Sequence, residues 1–126
     1  MRLRLALVLL CVLCGFCLAG DARQERVTVT AYSAVESRGL TASGLRPRPG
    51  MLALSRDLER ALGVAFGDTV TLGGVPYVFE DRMNKKWRKR VDIFSPSYRQ
   101  AKQFGIKHQV LLRLDAPYEA RATQPN

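Results

Sequence analysis

Three groups of side chains in this 126-residue chain could do chemistry. The first is a pair of aspartates, Asp81 and Asp92, eleven residues apart (92 − 81), each beside a β-forming run. Paired carboxylates serve general acid–base reactions. An aspartate at a strand end also has a plainer use, accepting backbone N–H bonds in a turn. The second group is Lys85, Lys86, Trp87, Arg88, Lys89 and Arg90, five cations around one ring. It reads either as an anion site on which the ring stacks or as a solvated hairpin loop with its aromatic tucked onto the core. The third is Cys11, Cys14 and Cys17, whose CxxCxxC spacing would suit a metal or iron–sulfur centre.

The cysteines lose that meaning from their surroundings. Arg2 and Arg4 precede an apolar run from Leu5 to Leu18, and Ala19 and Gly20 follow it. That is the pattern of a secretory signal peptide, and residues 1–20 are read as one. Leu10, Leu13 and Phe16 precede the three cysteines, so the small residue of a lipoprotein site is missing. About 106 residues remain (126 − 20), all without cysteine and enough for one domain with its own core. The leader places the protein in the periplasm or cell envelope. Lys and Arg number 20 against 11 Asp and Glu, a formal charge of +9 that favours anionic partners. Outside the cytoplasm those are envelope polymers rather than nucleic acid. The single histidine, His108, has no obvious partner and reads as structural.

The elements that must position these groups are mostly strands. Arg26–Tyr32 alternates Val and Thr with a two-residue period. A loop rich in Gly, Ser and Pro runs from Ser33 to Gly50, then Met51–Leu54 is a short apolar strand. Arg56–Leu62 has helical spacing with Gly63 as its stop. Asp68–Leu72 and Val75–Glu80 flank Gly73-Gly74, a hairpin signal, and Pro76 suggests an edge or a strand start. Val91–Phe94 is a strand, and Ser95-Pro96 opens a helix with proline at its first position, ended by Gly105. Gln109–Leu114 is the last strand, and residues 116–126 read as a flexible tail. Six short strands and two helices in about 90 residues predict an all-β domain over 26–115, closed into a small barrel because an open sheet would leave edges to protect. No internal repeat is visible.

Four ordered segments resemble the three-aspartate (3D) domain, the double-psi β-barrel module of the membrane-bound lytic transglycosylase A family and of small secreted cell-wall proteins. They are Val29-Thr30-Ala31-Tyr32; Thr41-Ala42-Ser43-Gly44 with Gly50-Met51-Leu52-Ala53-Leu54; Phe66-Gly67-Asp68-Thr69-Val70; and Glu80-Asp81 with Val91-Asp92-Ile93-Phe94, Ala101 and Phe104-Gly105. The similarity spans Val27 to Leu114. Ser55 stands where the family has its first aspartate, with Asp57 two residues on, and a basic loop follows Asp81 where the family is Gly-rich.

The resemblance implies a six-stranded double-psi barrel with one or two short helices. It also implies an exported protein that binds peptidoglycan glycan strands and cleaves them by lytic-transglycosylase chemistry. The alternative is a non-catalytic wall-binding or envelope interaction module. In that chemistry one carboxyl acts first as acid and then as base. By resemblance Asp92 is that group, and Asp81 sits beside it, raising its pKa or orienting it. Thr41 is expected to hydrogen-bond the acid, and Tyr32, Trp87, Lys85 and Arg88 to join it in contacting substrate. No metal or nucleotide motif is present, so no metal ligands and no cofactor are expected. The partners expected are glycan strands and, transiently, anionic envelope polymers, met by a monomer.

Overall fold

The computed structural model describes residues 23–37 and 39–115. The leader read at 1–20 and the tail read at 116–126 lie outside the described residues. Six strands and two helices follow one another as β1 (Arg23–Ser33), β2 (Met51–Leu54), α1 (Arg56–Leu62), β3 (Thr69–Leu72), β4 (Val75–Arg82), β5 (Arg90–Ser95), α2 (Tyr98–Phe104) and β6 (Lys107–Leu114). The strands close into a barrel in the order β1-β5-β2-β4-β3-β6. The small six-stranded all-β barrel expected from the sequence is the fold.

Alternation explains why these strands bury one face. Val27 and Val29 of β1, Leu52 and Leu54 of β2, Val70 and Leu72 of β3, Phe79 of β4, Val91 of β5 and Leu112 of β6 all enter one core. Leu58 and Leu62, four apart on α1, join it with Val64. Phe79 is the largest of the fully buried side chains, so Phe79→Ala removes about 3–5 kcal/mol of stability. Gly73 and Gly74 both have positive φ, 55° and 83°, which the tight turn between β3 and β4 requires. Pro76 costs this sheet little. It pairs with Thr71 of β3, while β2 meets β4 only from Val78 onward, so the proline sits where β4 is locally an edge.

The sequence shows no repeat, but the topology does. Exchanging β1, β2 and β3 for β4, β5 and β6 leaves every neighbour and every direction unchanged. The parallel pair β1–β5 maps onto the parallel pair β2–β4, and the antiparallel pair β1–β6 maps onto β3–β4. Each half is strand, strand, helix, strand. The helices carry the one sequence trace of this. N-cap Ser55 and C-cap Gly63 recur as Ser97 and Gly105, both 42 residues later (97 − 55, 105 − 63). Side chains elsewhere differ between the halves, which hides the relation in the sequence. The α2 cap also corrects an expectation: Ser97 accepts from the Gln100 N–H, so Pro96 precedes the cap instead of opening the helix.

Candidate functional site

The four consecutive barrel strands β1, β5, β2 and β4 carry one lateral row of outward-facing residues. Thr30 pairs with Asp92, Asp92 with Ala53, and Ala53 with Asp81. Strand alternation sets their direction: Asp92 lies between core-facing Val91 and Ile93, and Ala53 between Leu52 and Leu54. The next outward residues, Tyr32, Phe94 and Met83, form a small second cluster with Ala53. The Tyr32 and Phe94 rings meet edge-on, 5.5 Å between centroids. Over this row lies a groove of about 270 Å³, walled by Glu36 and Ser37 on one side and by Met83, Asn84 and Trp87 on the other. Ala53, the smallest side chain in the row, leaves the floor open between the two carboxylates.

Asp92 is the group best suited to moving a proton. Its carboxyl is pushed up to about 6, chiefly because burial disfavours the charged form. The Thr30 hydroxyl donates to Asp92 Oδ1 at 3.0 Å and works against that rise, as does the charge of Arg90. Glu36 and, more weakly, Asp81 reinforce it. Of the five cations from Lys85 to Arg90, Arg90 at the start of β5 is the one that favours the Asp92 carboxylate, and its effect is smaller than that of burial. The Arg90 guanidinium lies over the Trp87 ring at 4.0 Å and Lys86 Nζ lies 5.0 Å from the same ring. Trp87, 37% exposed and approached by two cations, lines the groove.

Asp81 has a different job. Its Oδ1 accepts the N–H of Ala42 and of Arg82, both at 2.9 Å, and its Oδ2 accepts the Tyr32 hydroxyl at 3.3 Å. Burial and the Asp81 charge push the Tyr32 phenol up, so it stays a donor. Asp81 therefore ties β1, β4 and the turn at Thr41–Gly44 together. The register places it two strands from Asp92, with Ala53 between them, about 10 Å apart at the Cα atoms. Asp81 shares the groove with Asp92, but the two are not direct neighbours.

Tyr32, Asp81, Asp92 and Trp87 thus come together as the sequence suggested, and three other residues do not. Thr41 is buried and its hydroxyl pairs with Ser43 at 2.9 Å and accepts the Leu45 N–H. The hydroxyl on the acid is that of Thr30. Lys85 and Arg88 are exposed on the loop and outside the groove lining. Ser55 does not face the groove either. It is 0% exposed, and its Oγ accepts the Arg90 N–H at 3.1 Å. Asp57 accepts the Lys89 N–H at 2.9 Å, away from the groove lining. Arg82 lines the groove but is engaged by Glu59 through two bonds of 2.6 and 2.7 Å. His108, near the start of β6, meets the hydroxyl of Thr28 in the middle of β1 at 3.3 Å, a solvent-exposed contact.

Sequence reasoning missed Thr30 and Glu36. Thr30 lay inside a quoted segment, Val29-Thr30-Ala31-Tyr32, but nothing local says which residue it will face across a parallel pairing. Glu36 sits on a tight turn whose local signal is legible in hindsight: its Oε2 accepts both the N–H and the hydroxyl of Ser33, and its own N–H bonds to the Ser33 carbonyl. That ring fixes the carboxylate at the groove wall. The chain matches no protein-family model, and no curated protein matches it.

Proposed function

We propose that this protein binds glycan strands of the bacterial cell wall in the groove over β1, β5, β2 and β4 and cleaves them with Asp92 as general acid. The observation that carries this reading is a half-buried carboxyl held at a pKa of about 6 in an open groove with an aromatic wall. The sequence resemblance to the 3D family supplies the substrate class, and the leader pattern supplies the compartment, the periplasm or envelope. In this reaction the Asp92 proton passes to the glycosidic oxygen as the bond from that oxygen to the anomeric carbon breaks. The resulting carboxylate then takes the proton of the sugar's 6-hydroxyl as that oxygen bonds the anomeric carbon. Asp92 ends protonated and no water is consumed. A pKa near the working pH lets one group do both steps.

A non-catalytic wall-binding module is the second reading. The observation that favours it is Asp81, whose oxygens are already taken by three donors, leaving Asp92 as the one carboxyl of the pair free to react. Purified protein incubated with peptidoglycan sacculi between about pH 4 and 8, followed by mass analysis, separates the two. Release of anhydro-sugar products supports cleavage. Retention on sacculi with no such product at any pH leaves the binding module.

A further inference from the structure

The loop between β1 and β2 is unusual for its exposed apolar side chains. Val35 is 81% exposed, Leu40 63% and Leu45 41%, three of the seven large exposed hydrophobics among the described residues. Isolated exposed leucines need no explanation, but a concentration on one loop marks a contact surface. The loop is also pinned. Thr41 N–H bonds to the Leu45 carbonyl at 2.7 Å, Ser43 N–H to the Glu80 carbonyl at 3.1 Å, and Ala42 N–H to Asp81. Leu40 therefore stands out from a segment tied directly to the groove floor.

Beside it lies a second hollow of about 510 Å³, lined by Ala34, Ser37, Gly39, Leu40, Arg46 and Pro47. Ser37 lines this hollow and the groove alike, so the two adjoin across that residue. Among the described residues Arg46 is the one charged side chain lining the hollow, and its guanidinium has no hydrogen bond or ion pair among them. The groove itself is acidic, with Asp81, Asp92 and Glu36 on its lining. One ligand crossing both must offer neutral hydroxyls to the first and a carboxylate with small apolar groups to the second.

We propose that this hollow is an extension of the groove that takes the carboxylate-bearing peptide appended to a glycan strand. This rests on the glycan reading above and names the part of the substrate that the loop recognises. Arg46 holds a peptide carboxylate, and Leu40, Ala34 and Pro47 cover its short aliphatic side chains. The site then distinguishes peptide-bearing strands from bare ones, which the groove alone does not do.

The test uses two probes, soluble glycan strands with their peptides intact and the same strands stripped of peptide by an amidase. Calorimetry with wild-type protein is expected to show intact strands bound about tenfold tighter, the size of one charge-assisted hydrogen bond. Arg46→Gln should remove most of that preference by weakening intact strands alone, and Leu40→Ser should remove part of it. Both positions are exposed, so neither change threatens the fold. Equal affinity for both probes, or equal weakening of both by Arg46→Gln, overturns the proposal and makes the hollow a sugar subsite. Preference for a wall protein over either strand overturns it in favour of a protein contact. If wild type binds neither probe, the glycan reading itself fails and this inference with it.

Discussion

The two halves of the barrel share a backbone plan and almost nothing of their chemistry. Under the exchange that maps β1 onto β4 and β2 onto β5, Thr30 occupies the place of Asp81 and Ala53 the place of Asp92. One half supplies both carboxylates, and the other supplies a hydroxyl and a methyl group at the matching points. Since the row crosses the boundary between the halves, this groove belongs to both halves at once. The contrast shows how a symmetric scaffold makes an asymmetric groove: a second carboxylate at Ala53 would stand directly against Asp92 and fill the open floor.

The sharpest way to break the comparison is to erase the asymmetry at its centre. Asp92→Asn keeps the shape of the side chain and an acceptor for Thr30 but removes the proton. Sacculus cleavage should fall by roughly 10²–10⁴. Thr30→Val, on the other half's side of the row, should cost far less rate and move the high-pH limb of activity upward, since the lost bond favoured the charged acid. A rate loss for Thr30→Val as large as for Asp92→Asn would mean that the hydroxyl takes part in the chemistry.

The same substitution should stabilise the fold. An aspartate whose folded pKa is raised from 3.8 to about 6 adds no penalty below its unfolded pKa. The penalty grows as the pH rises between the two values and is complete above about 6. Asp92→Asn removes it, by about 1–3 kcal/mol at pH 7 after allowing for partial solvent access, and changes nothing at pH 3. Urea denaturation at the two pH values reads this directly. Equal stability of the two proteins at pH 7 would show that burial does not penalise the acid.

The helix caps extend the comparison beyond the groove. Ser55 and Ser97 hold equivalent positions, yet Ser55 Oγ serves Arg90 on another element while Ser97 Oγ serves its own helix. Ser55→Ala should therefore cost about 1–3 kcal/mol and Ser97→Ala about 0.5–1, by thermal or chemical unfolding. Equal costs would mean that both serines act only as caps.

The smallest expected effect concerns which neighbour tunes the acid. Glu36 outweighs Asp81 in its electrostatic push on Asp92. Glu36→Gln should lower the midpoint of an Asp92 carboxyl titration, followed by carbon NMR, more than Asp81→Asn does. Losing either negative charge lowers the pKa, so both midpoints move down. The groups that face Asp92 in this experiment are Thr30 and Tyr32 of β1, Glu36 of the turn after it, Asp81 of β4 and Arg90 of β5 itself. A larger shift from Asp81→Asn would restore the pairing of the two aspartates suggested by their spacing.

Much of this molecule was legible before its fold. Met51–Leu54 and Arg56–Leu62 were readable to the residue, because an apolar run and a glycine stop mark their ends. β6 starts at Lys107, two residues ahead of its readable part, since its exposed first residues carry no alternation signal. Asp92, Asp81 and Trp87, which line the groove, stand out by residue type on a strand end or loop, whereas Tyr32 stands out only through the family resemblance. Thr41 was misplaced and Thr30 overlooked for the same physical reason. Which hydroxyl meets the acid depends on a parallel pairing between residues 62 positions apart (92 − 30), and no local pattern encodes such a register. The internal repeat stayed hidden because it is a property of connections, kept in the sequence only by two serines and two glycines.

Every hydrogen-bonded ladder in the barrel joins a strand of one half to a strand of the other. β1 meets β5 and β6, β2 meets β4 and β5, and β3 meets β4 and β6. A half by itself therefore has helices and strands but no sheet. During synthesis no ladder can begin until β4, at Val75–Arg82, is there to pair with β2 and β3, and the ring closes only when β6, at Lys107–Leu114, lies between β1 and β3. Pairings so distant along the chain must meet the entropy of closing long loops before any contact rewards it, so the barrel closes slowly for its size.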